Sequence, residues 1–331
     1  VHHMRAHALT AHLVDSSLQY PFLCLLVSGG HSILTLVRGV NDFLILGTAL
    51  DGAPGEAMDK VARRLKIKNL GGKFVGMSGG EAIEIFAETG DPLSYEMPTP
   101  AGWFLGQTCD FSFSGIKSYA MNKIDKLEQS EGVRGADIIS DLNNFCASFQ
   151  HAIFRHIAKR VQRAMEILDA KEMVPVWEES APIQNSPRVF VISGGVASNE
   201  YIRRGLKYVA ENYGYRTICP PRNLCADNGV MIAWNGIEII RETANHGLLF
   251  DGRKTKNSNK AEELISNTEK ENEVPKDILE VDNLPPENEQ FWVTPKEPLG
   301  MDYREEIQKM RWTLRDKIKL NNTELWAKTF A

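Results

Sequence analysis

The chain has 331 residues, 43% of them hydrophobic and 24% charged, with a formal net charge of −5. That apolar content is ample for one large domain or two lobes, and the acidic balance excludes a strongly basic nucleic-acid binder. The negative charge is concentrated in residues 251–290, which carry 6 basic and 11 acidic side chains, so the rest of the chain is neutral.

In chain order, His2 to Leu13 holds good helix formers and no breaker before the Asp15-Ser16-Ser17 cluster. His3 and His7 are four residues apart and share one helix face, a geometry that lets two imidazoles hold one metal. A pair of partly exposed helix histidines explains them equally well, and without a third ligand that plainer reading is favoured. The first residue is Val1, not Met, so the expectation is a true N-terminus, with any targeting sequence, upstream of it. No apolar run is long enough to cross a membrane.

Phe22 to Val27 is an unbroken apolar run that ends in Ser28-Gly29-Gly30-His31, and an apolar pattern resumes to Val37. Such a run predicts a strand buried on both faces, and its glycines predict a tight turn. Successive free amides in a turn of this kind form an anion site. One such turn would be explained by an ordinary hairpin. The pattern recurs as Val189-Phe190-Val191-Ile192-Ser193-Gly194-Gly195, followed by Asn199, which suggests two glycine turns facing a common phosphate or nucleotide.

Phe43 to Thr48 reads as a third strand, and a Gly/Pro turn then leads into a helix with Glu56 and Asp59 in its first turns. Capping explains one of these carboxylates; together with Lys60 they could also hold a ribose or a metal-bound phosphate. A loop ending in Gly79-Gly80 precedes a helix at 81–89, and residues 92–108 are a Pro/Gly-rich surface excursion. Cys109 to Lys117 alternates as a strand would and then turns. Residues 138–170 form a long amphipathic helix, with Phe145, Phe149, Ile153 and Ile157 at spacing four. Its basic positions, Arg155, Lys159, Arg160 and Arg163, read as a solvated face and one candidate RNA-facing surface.

After a polar loop come the second glycine strand, a helix at 199–212, a short strand from Arg216, and a turn at 222–229 in which Asp227 could be a plain N-cap. A buried-looking helix follows at 230–243. Residues 251–290, rich in Lys, Glu, Asn and Ser, read as a disordered insertion. Residues 291–331 regain apolar character and include a helix at 303–320. The five cysteines, Cys24, Cys109, Cys146, Cys219 and Cys225, show no Cys-x-x-Cys spacing and read as reduced, buried thiols.

Taken together, His3-Met4-Arg5-Ala6-His7, Leu26-Val27-Ser28-Gly29-Gly30-His31, Gly55-Glu56-Ala57-Met58-Asp59-Lys60, Asp110-Phe111-Ser112-Phe113-Ser114-Gly115, Ser193-Gly194-Gly195-Val196-Ala197-Ser198-Asn199 and Asp227-Asn228-Gly229 stand in the order of one family. The chain resembles the tRNA N6-adenosine threonylcarbamoyltransferases, once described as O-sialoglycoprotein endopeptidases, and most of all their mitochondrial branch. The likeness covers His2 to about Thr243, with a short return at 295–302.

The resemblance implies an α/β, actin-like ATPase (RNase H-like) fold, mainly its second lobe, the first lobe lying largely upstream of Val1. It divides the chain into a metal-ligand helix left from the first lobe (1–19), a nucleotide-binding lobe (20–250), the acidic insertion (251–290) and a C-terminal closing segment (291–331). It implies one divalent metal ion, iron or zinc, on His3, His7 and Asp227. The threonylcarbamoyl-adenylate would lie against Leu26, Val27, Ser28, Gly29, Gly30, Asp59, Gly80 and Asn199, with no catalytic group separate from the metal site. The reaction would move the threonylcarbamoyl group to N6 of the adenosine 3′ of the anticodon, in tRNAs that read codons starting with A.

Implied partners are tRNA, a separate synthase that supplies the adenylate and a second copy in a homodimer, with mitochondrial localisation and no membrane insertion. The donor is already activated, so acyl transfer needs no serine or cysteine nucleophile. A peptidase would want a glutamate within the metal helix, whereas His3 and His7 enclose Met4, Arg5 and Ala6. Arg5 also stands where many relatives are acidic. The alternative reading is a catalytically impaired nucleotide-binding or scaffold fragment, and even as an enzyme the chain is expected to be weakly active.

Overall fold

The structure is a computed structural model that describes residues 1–98, 107–178, 182–245 and 298–310. The chain divides into two compact units, Val1–Ile239 with Leu299–Ala331, and Ile240–Pro298. The described residues form α1 (His3–Val14), β1 (Phe22–Val27), β2 (Ser32–Val37), β3 (Phe43–Thr48), α2 (Pro54–Arg64), α3 (Gly79–Ala87), α4 (Ser114–Glu131), α5 (Leu142–Ala170), β4 (Val189–Ser193), α6 (Glu200–Asn212), β5 (Arg216–Ile218), α7 (Arg222–Cys225), α8 (Gly229–Asn245), β6 (Met301–Asp302) and α9 (Arg304–Lys309).

The strands make one mixed sheet in the order β5-β4-β1-β2-β3-β6. β1, β2 and β3 form an antiparallel meander, while β4 pairs parallel to β1, β5 to β4 and β6 to β3. The apolar run of β1 is explained by its position: all six residues are buried. Leu23, Leu25 and Val27 enter a large core built with α2 to α6, and Phe22, Cys24 and Leu26 pack on the other face with Met4, Ala8 and Leu9 of α1. Each such fully buried side chain stabilises the fold by roughly 1.5–3 kcal/mol.

Several expectations are corrected. The segment at 109–117 is not a strand beyond one bridge between Ala49 and Phe111. The Asp51 carboxylate accepts from the Ser112 hydroxyl (2.6 Å) and the Phe113 amide (2.9 Å), which turns the chain into α4 at Ser114. The long helix begins at Leu142, and its basic residues are not a uniform solvated face, for Arg155 and Lys159 are half-buried. Arg160 and Arg163 are buried, Arg160 donating to the Thr108 carbonyl at 3.1 Å and Arg163 to the Met310 carbonyl at 3.5 Å. Thr108, beside Cys109, and Met310 of the C-terminal segment therefore cover a side that periodicity alone leaves to solvent, and Arg160 and Arg163 drop out of the RNA-facing reading of that surface. In α8 the expected burial is partial, with Val230, Ile232 and Ile237 exposed.

All five cysteines are free and four are buried. The C-terminal segment adds β6 to the β3 edge, where the Tyr303 amide donates to the Ile45 carbonyl at 2.9 Å. A Cβ on Gly300 would stand 2.1 Å from the Phe43 carbonyl oxygen, so glycine is required there. The expected helix at 303–320 is corrected to the short α9, which ends at Lys309 where Met310 leaves helical geometry (ψ 86°); residues 311–320 and the 251–290 insertion lie outside the described residues. Among the described residues no helix is long and apolar enough to cross a membrane.

One ion-pair network pins α2 to α4. Arg64 pairs with Asp125 and with Glu128 (2.6 Å), and Lys66 lies 2.9 Å from Glu128. The Arg64 guanidinium, then the Lys66 ammonium, hold the Glu128 carboxyl down at about 2, well below its ordinary 4.5. A depressed carboxyl stabilises the fold above its unfolded pKa, and that contribution is lost as pH falls through the folded value. Wild type should therefore lose on the order of 1–2 kcal/mol between about pH 4.5 and pH 2 that Glu128→Gln has already lost at neutral pH. Urea titrations of both proteins at pH 7 and pH 3 check this, and parallel losses would refute it.

Candidate functional site

β1 and β4 run parallel with Leu26 opposite Ser193, so their two Ser-Gly-Gly turns leave adjacent strands at the same edge of the sheet. That carboxyl edge is where open α/β sheets bind ligands. The first turn is closed by its own serine: the Ser28 amide donates to the His31 carbonyl (2.8 Å), and the Ser28 hydroxyl accepts from the amides of His31 (3.0 Å) and Gly30 (3.3 Å). Gly29 and Gly30 are exposed, with nothing within 4 Å of where a Cβ would be. Leu26 and Val27 are buried beneath them.

In the second turn Gly194 has φ +100°, and a Cβ there would lie 2.3 Å from the Val27 carbonyl oxygen. The two turns thus touch, and only glycine allows it. Gly195 again faces open space. Helix α2 starts against the first turn, since a Cβ on Gly55 would meet the Gly29 Cα at 2.8 Å.

Asp59 on α2 accepts from the Gly79 amide at 2.7 Å, which brings Asp59 and Gly80 together at the start of α3. Asn199 is buried, and its side chain is committed to the fold: its carbonyl caps α6 by accepting from the Ile202 amide (3.0 Å), and its amide donates to Gln150 (2.8 Å). Glu84, which motif reading passed over, accepts from the Glu200 amide at 2.6 Å and lies 3.5 Å from Arg222. Burial raises its pKa. Its place one helical turn after Gly80 was the available signal.

His3 and His7, on successive turns of α1, converge with Asp227 from the α7–α8 loop. The Asp227 carboxylate lies 2.9 Å from His7 Nε2 and 3.3 Å from His3 Nε2, and the three ligand atoms lie within 4.8 Å of one another. Asp227 is not the N-cap of α8; Asn228 serves there, accepting from the Met231 amide at 2.9 Å. His7 is 3% exposed at its side chain, and burial lowers its pKa, which favours the neutral imidazole that ligates metals.

Two imidazole nitrogens and one carboxylate facing one point form a donor set that suits zinc or iron(II) and leaves coordination positions open. Arg5 is engaged elsewhere, donating to the Leu299 carbonyl (3.3 Å) and to Asn41 (3.0 Å). The triad and the turns are linked. Gly195–Ser198, which follow the second strand, pack against α7 (Arg222–Cys225), whose last residue stands two positions before Asp227.

A mixed sheet with paired glycine turns at one edge, and a two-histidine, one-carboxylate cluster linked to them, defines an α/β protein suited to a nucleotide and a metal. The model of the tRNA N6-adenosine threonylcarbamoyltransferase family matches residues 1–234, and the chain belongs to that family. With it comes the actin-like, RNase H-like class, which the mixed sheet fits.

The chain is 43% identical over 242 residues to the mitochondrial tRNA N6-adenosine threonylcarbamoyltransferase of Danio rerio, covering 73% of this chain and 57% of that protein. With the Homo sapiens mitochondrial protein of that name it shares 44% over 252 residues, 76% of this chain and 57% of the other. With the Sinorhizobium medicae tRNA N6-adenosine threonylcarbamoyltransferase it shares 41% over 253 residues, 76% and 61%. The chain thus spans little more than half the length of these relatives.

Proposed function

We propose that the chain binds threonylcarbamoyl-AMP and takes part in moving its threonylcarbamoyl group to N6 of the adenosine 3′ of the anticodon, in tRNAs reading codons that start with A. The register of Leu26 with Ser193 carries this reading, because it sets both glycine turns at one edge, the second of them packed on the helix that leads to Asp227. Gly29, Gly30 and Gly195 let the adenylate phosphate come close to backbone, over a floor of Leu26 and Val27. Ser28 orients the first turn, and its hydroxyl must give up the Gly30 and His31 amides before they can meet an anion. Asp59 and Gly80 receive the ribose side, and Asn199 fixes the start of α6 beside them.

A divalent ion on His3, His7 and Asp227 would supply a Lewis acid for the donor's carbonyl or phosphate. In the transfer the adenosine amine forms a C–N bond to the carbamoyl carbon, the bond from that carbon to the phosphate oxygen breaks, AMP leaves with the electron pair, and the amine gives up a proton. The buried, neutral His7 keeps the triad a ligand set and not an ion pair. In this reading α1 belongs to the first lobe and the sheet to the second. A mitochondrial site of action rests on the names of the relatives.

The test supplies the chain with a synthase, threonine, bicarbonate, ATP and tRNA, and reads the tRNA nucleosides by mass spectrometry. The expected result is threonylcarbamoyl-adenosine next to the anticodon. None at all would favour a nucleotide-binding scaffold.

A further inference from the structure

Between α2 and α3 lies a cavity of ≈ 190 Å³ that shares Asp59 with the proposed adenylate site and extends from it past Arg63, Lys68 and Phe74. Its walls are apolar, from Ile67, Phe74, Met77 and Ala82, and Arg63 and Lys68 stand at its lining. Phe74 is partly exposed and stacks on Phe86, ring centroids 5.2 Å apart, while Lys73 lies over the Phe74 ring at 5.4 Å. The volume is below the roughly 300–1,000 Å³ of clefts that enclose whole drug-sized ligands, so it suits a single planar group.

The charge around it is one-sided. Arg63, Lys68 and Lys73 are exposed, and among the described residues none of them is in an ion pair. Their neighbours Lys60, Arg64 and Lys66 are all paired, with Glu56, with Asp125 and Glu128, and with Glu128. The lining's one acidic group, Asp59, is hydrogen-bonded to the Gly79 amide. Three unneutralised cations set around an aromatic-walled slot match the two needs of single-stranded RNA, a backbone to neutralise and an unstacked base to cover.

We propose that Arg63, Lys68, Lys73 and the Phe74 slot form the surface on which the RNA acceptor docks, the slot taking one unstacked base of the loop and the cations its flanking phosphates. This rests on the reading that the acceptor is RNA, and it replaces the helix face that the fold closes off at Arg160 and Arg163. The surface lies next to Asp59, so a base held there sits beside the end of the donor site.

The probe is a labelled anticodon stem–loop RNA, titrated with the chain by fluorescence anisotropy at several salt concentrations. Arg63→Gln/Lys68→Gln/Lys73→Gln should weaken binding by about tenfold or more and lower the salt slope by about 2, at about 0.7 per phosphate contact on a single strand. Phe74→Leu should cost roughly tenfold with the slope unchanged, and an oligomer with the same backbone and no loop bases should be blind to it. The three charge changes are on exposed side chains, and AMP binding reports that the fold of each variant survives.

A triple variant that binds the stem–loop as wild type does, in a chain that still modifies tRNA, overturns this surface and leaves the transferase reading intact. So does a Phe74→Leu loss that is equal on the base-free oligomer, and so does a wild-type chain that fails to bind the stem–loop.

Discussion

Asp227→Ala is expected to strip most of the bound divalent metal while leaving the fold in place. Asp227 is the most exposed member of the triad, 76% accessible at its side chain, and α8 is capped by Asn228, so no structural contact of weight is lost. Stability should stay within about 0.5 kcal/mol of wild type. The proposed metal site has three protein ligands, and even partners that only orient ligands are worth about 10–100-fold in affinity, so removing a ligand should exceed about 100-fold. His7→Ala would cut binding too, but it opens a gap in a buried helix face and mixes the two effects. Elemental analysis after dialysis decides the matter: metal retained at wild-type content in Asp227→Ala would remove the triad from the site.

The second large effect separates two neighbouring glycines. Gly194→Ala puts a side chain at φ +100° and a Cβ 2.3 Å from the Val27 carbonyl oxygen, against backbone that belongs to the central strand. The backbone strain alone costs about 1–3 kcal/mol, and the clash adds to it. A loss of at least about 3 kcal/mol is expected, or a fall in melting temperature on the order of 10 °C.

A Cβ on the exposed Gly195 meets nothing within 4 Å, so Gly195→Val starts from open space. It should fold with melting within a few degrees of wild type, at roughly 2–4 °C per kcal/mol, and lose AMP affinity by roughly tenfold, because a branched side chain then occupies the approach to the turn. Equal melting temperatures for the two variants would refute the contact between the turns. Undiminished AMP binding in Gly195→Val would refute its role in the donor site.

Much of this was legible in the residues because the physics is local. The β1 run announces burial on both faces, and both faces are buried. The glycines announce turns, and spacing four places His3 and His7 together. Asp227 is another matter: it joins the triad across 220 positions, and its local pattern reads as a helix cap, so only the family likeness pointed to it.

The basic positions of α5 misled because helical periodicity describes one apolar face and is silent on what covers the other. There, Thr108 and Met310 take up the guanidinium groups of Arg160 and Arg163. The strand expected at 109–117 fails for a similar reason. A distant carboxylate, Asp51, captures Ser112 and Phe113 and bends the chain into a helix. β6, only two residues long, exists because Gly300 can lie against the Phe43 carbonyl.

The central claim is that the glycine turns and the metal triad form one donor site. Calorimetric titration of the chain with AMP, the stable part of the donor, tests it most directly when run with and without a divalent metal. The account predicts that metal strengthens AMP binding in wild type, and that Asp227→Ala abolishes the metal dependence while Gly195→Val weakens binding at every metal concentration. AMP binding that is the same with metal, without it and in Asp227→Ala would show two independent sites and contradict the account.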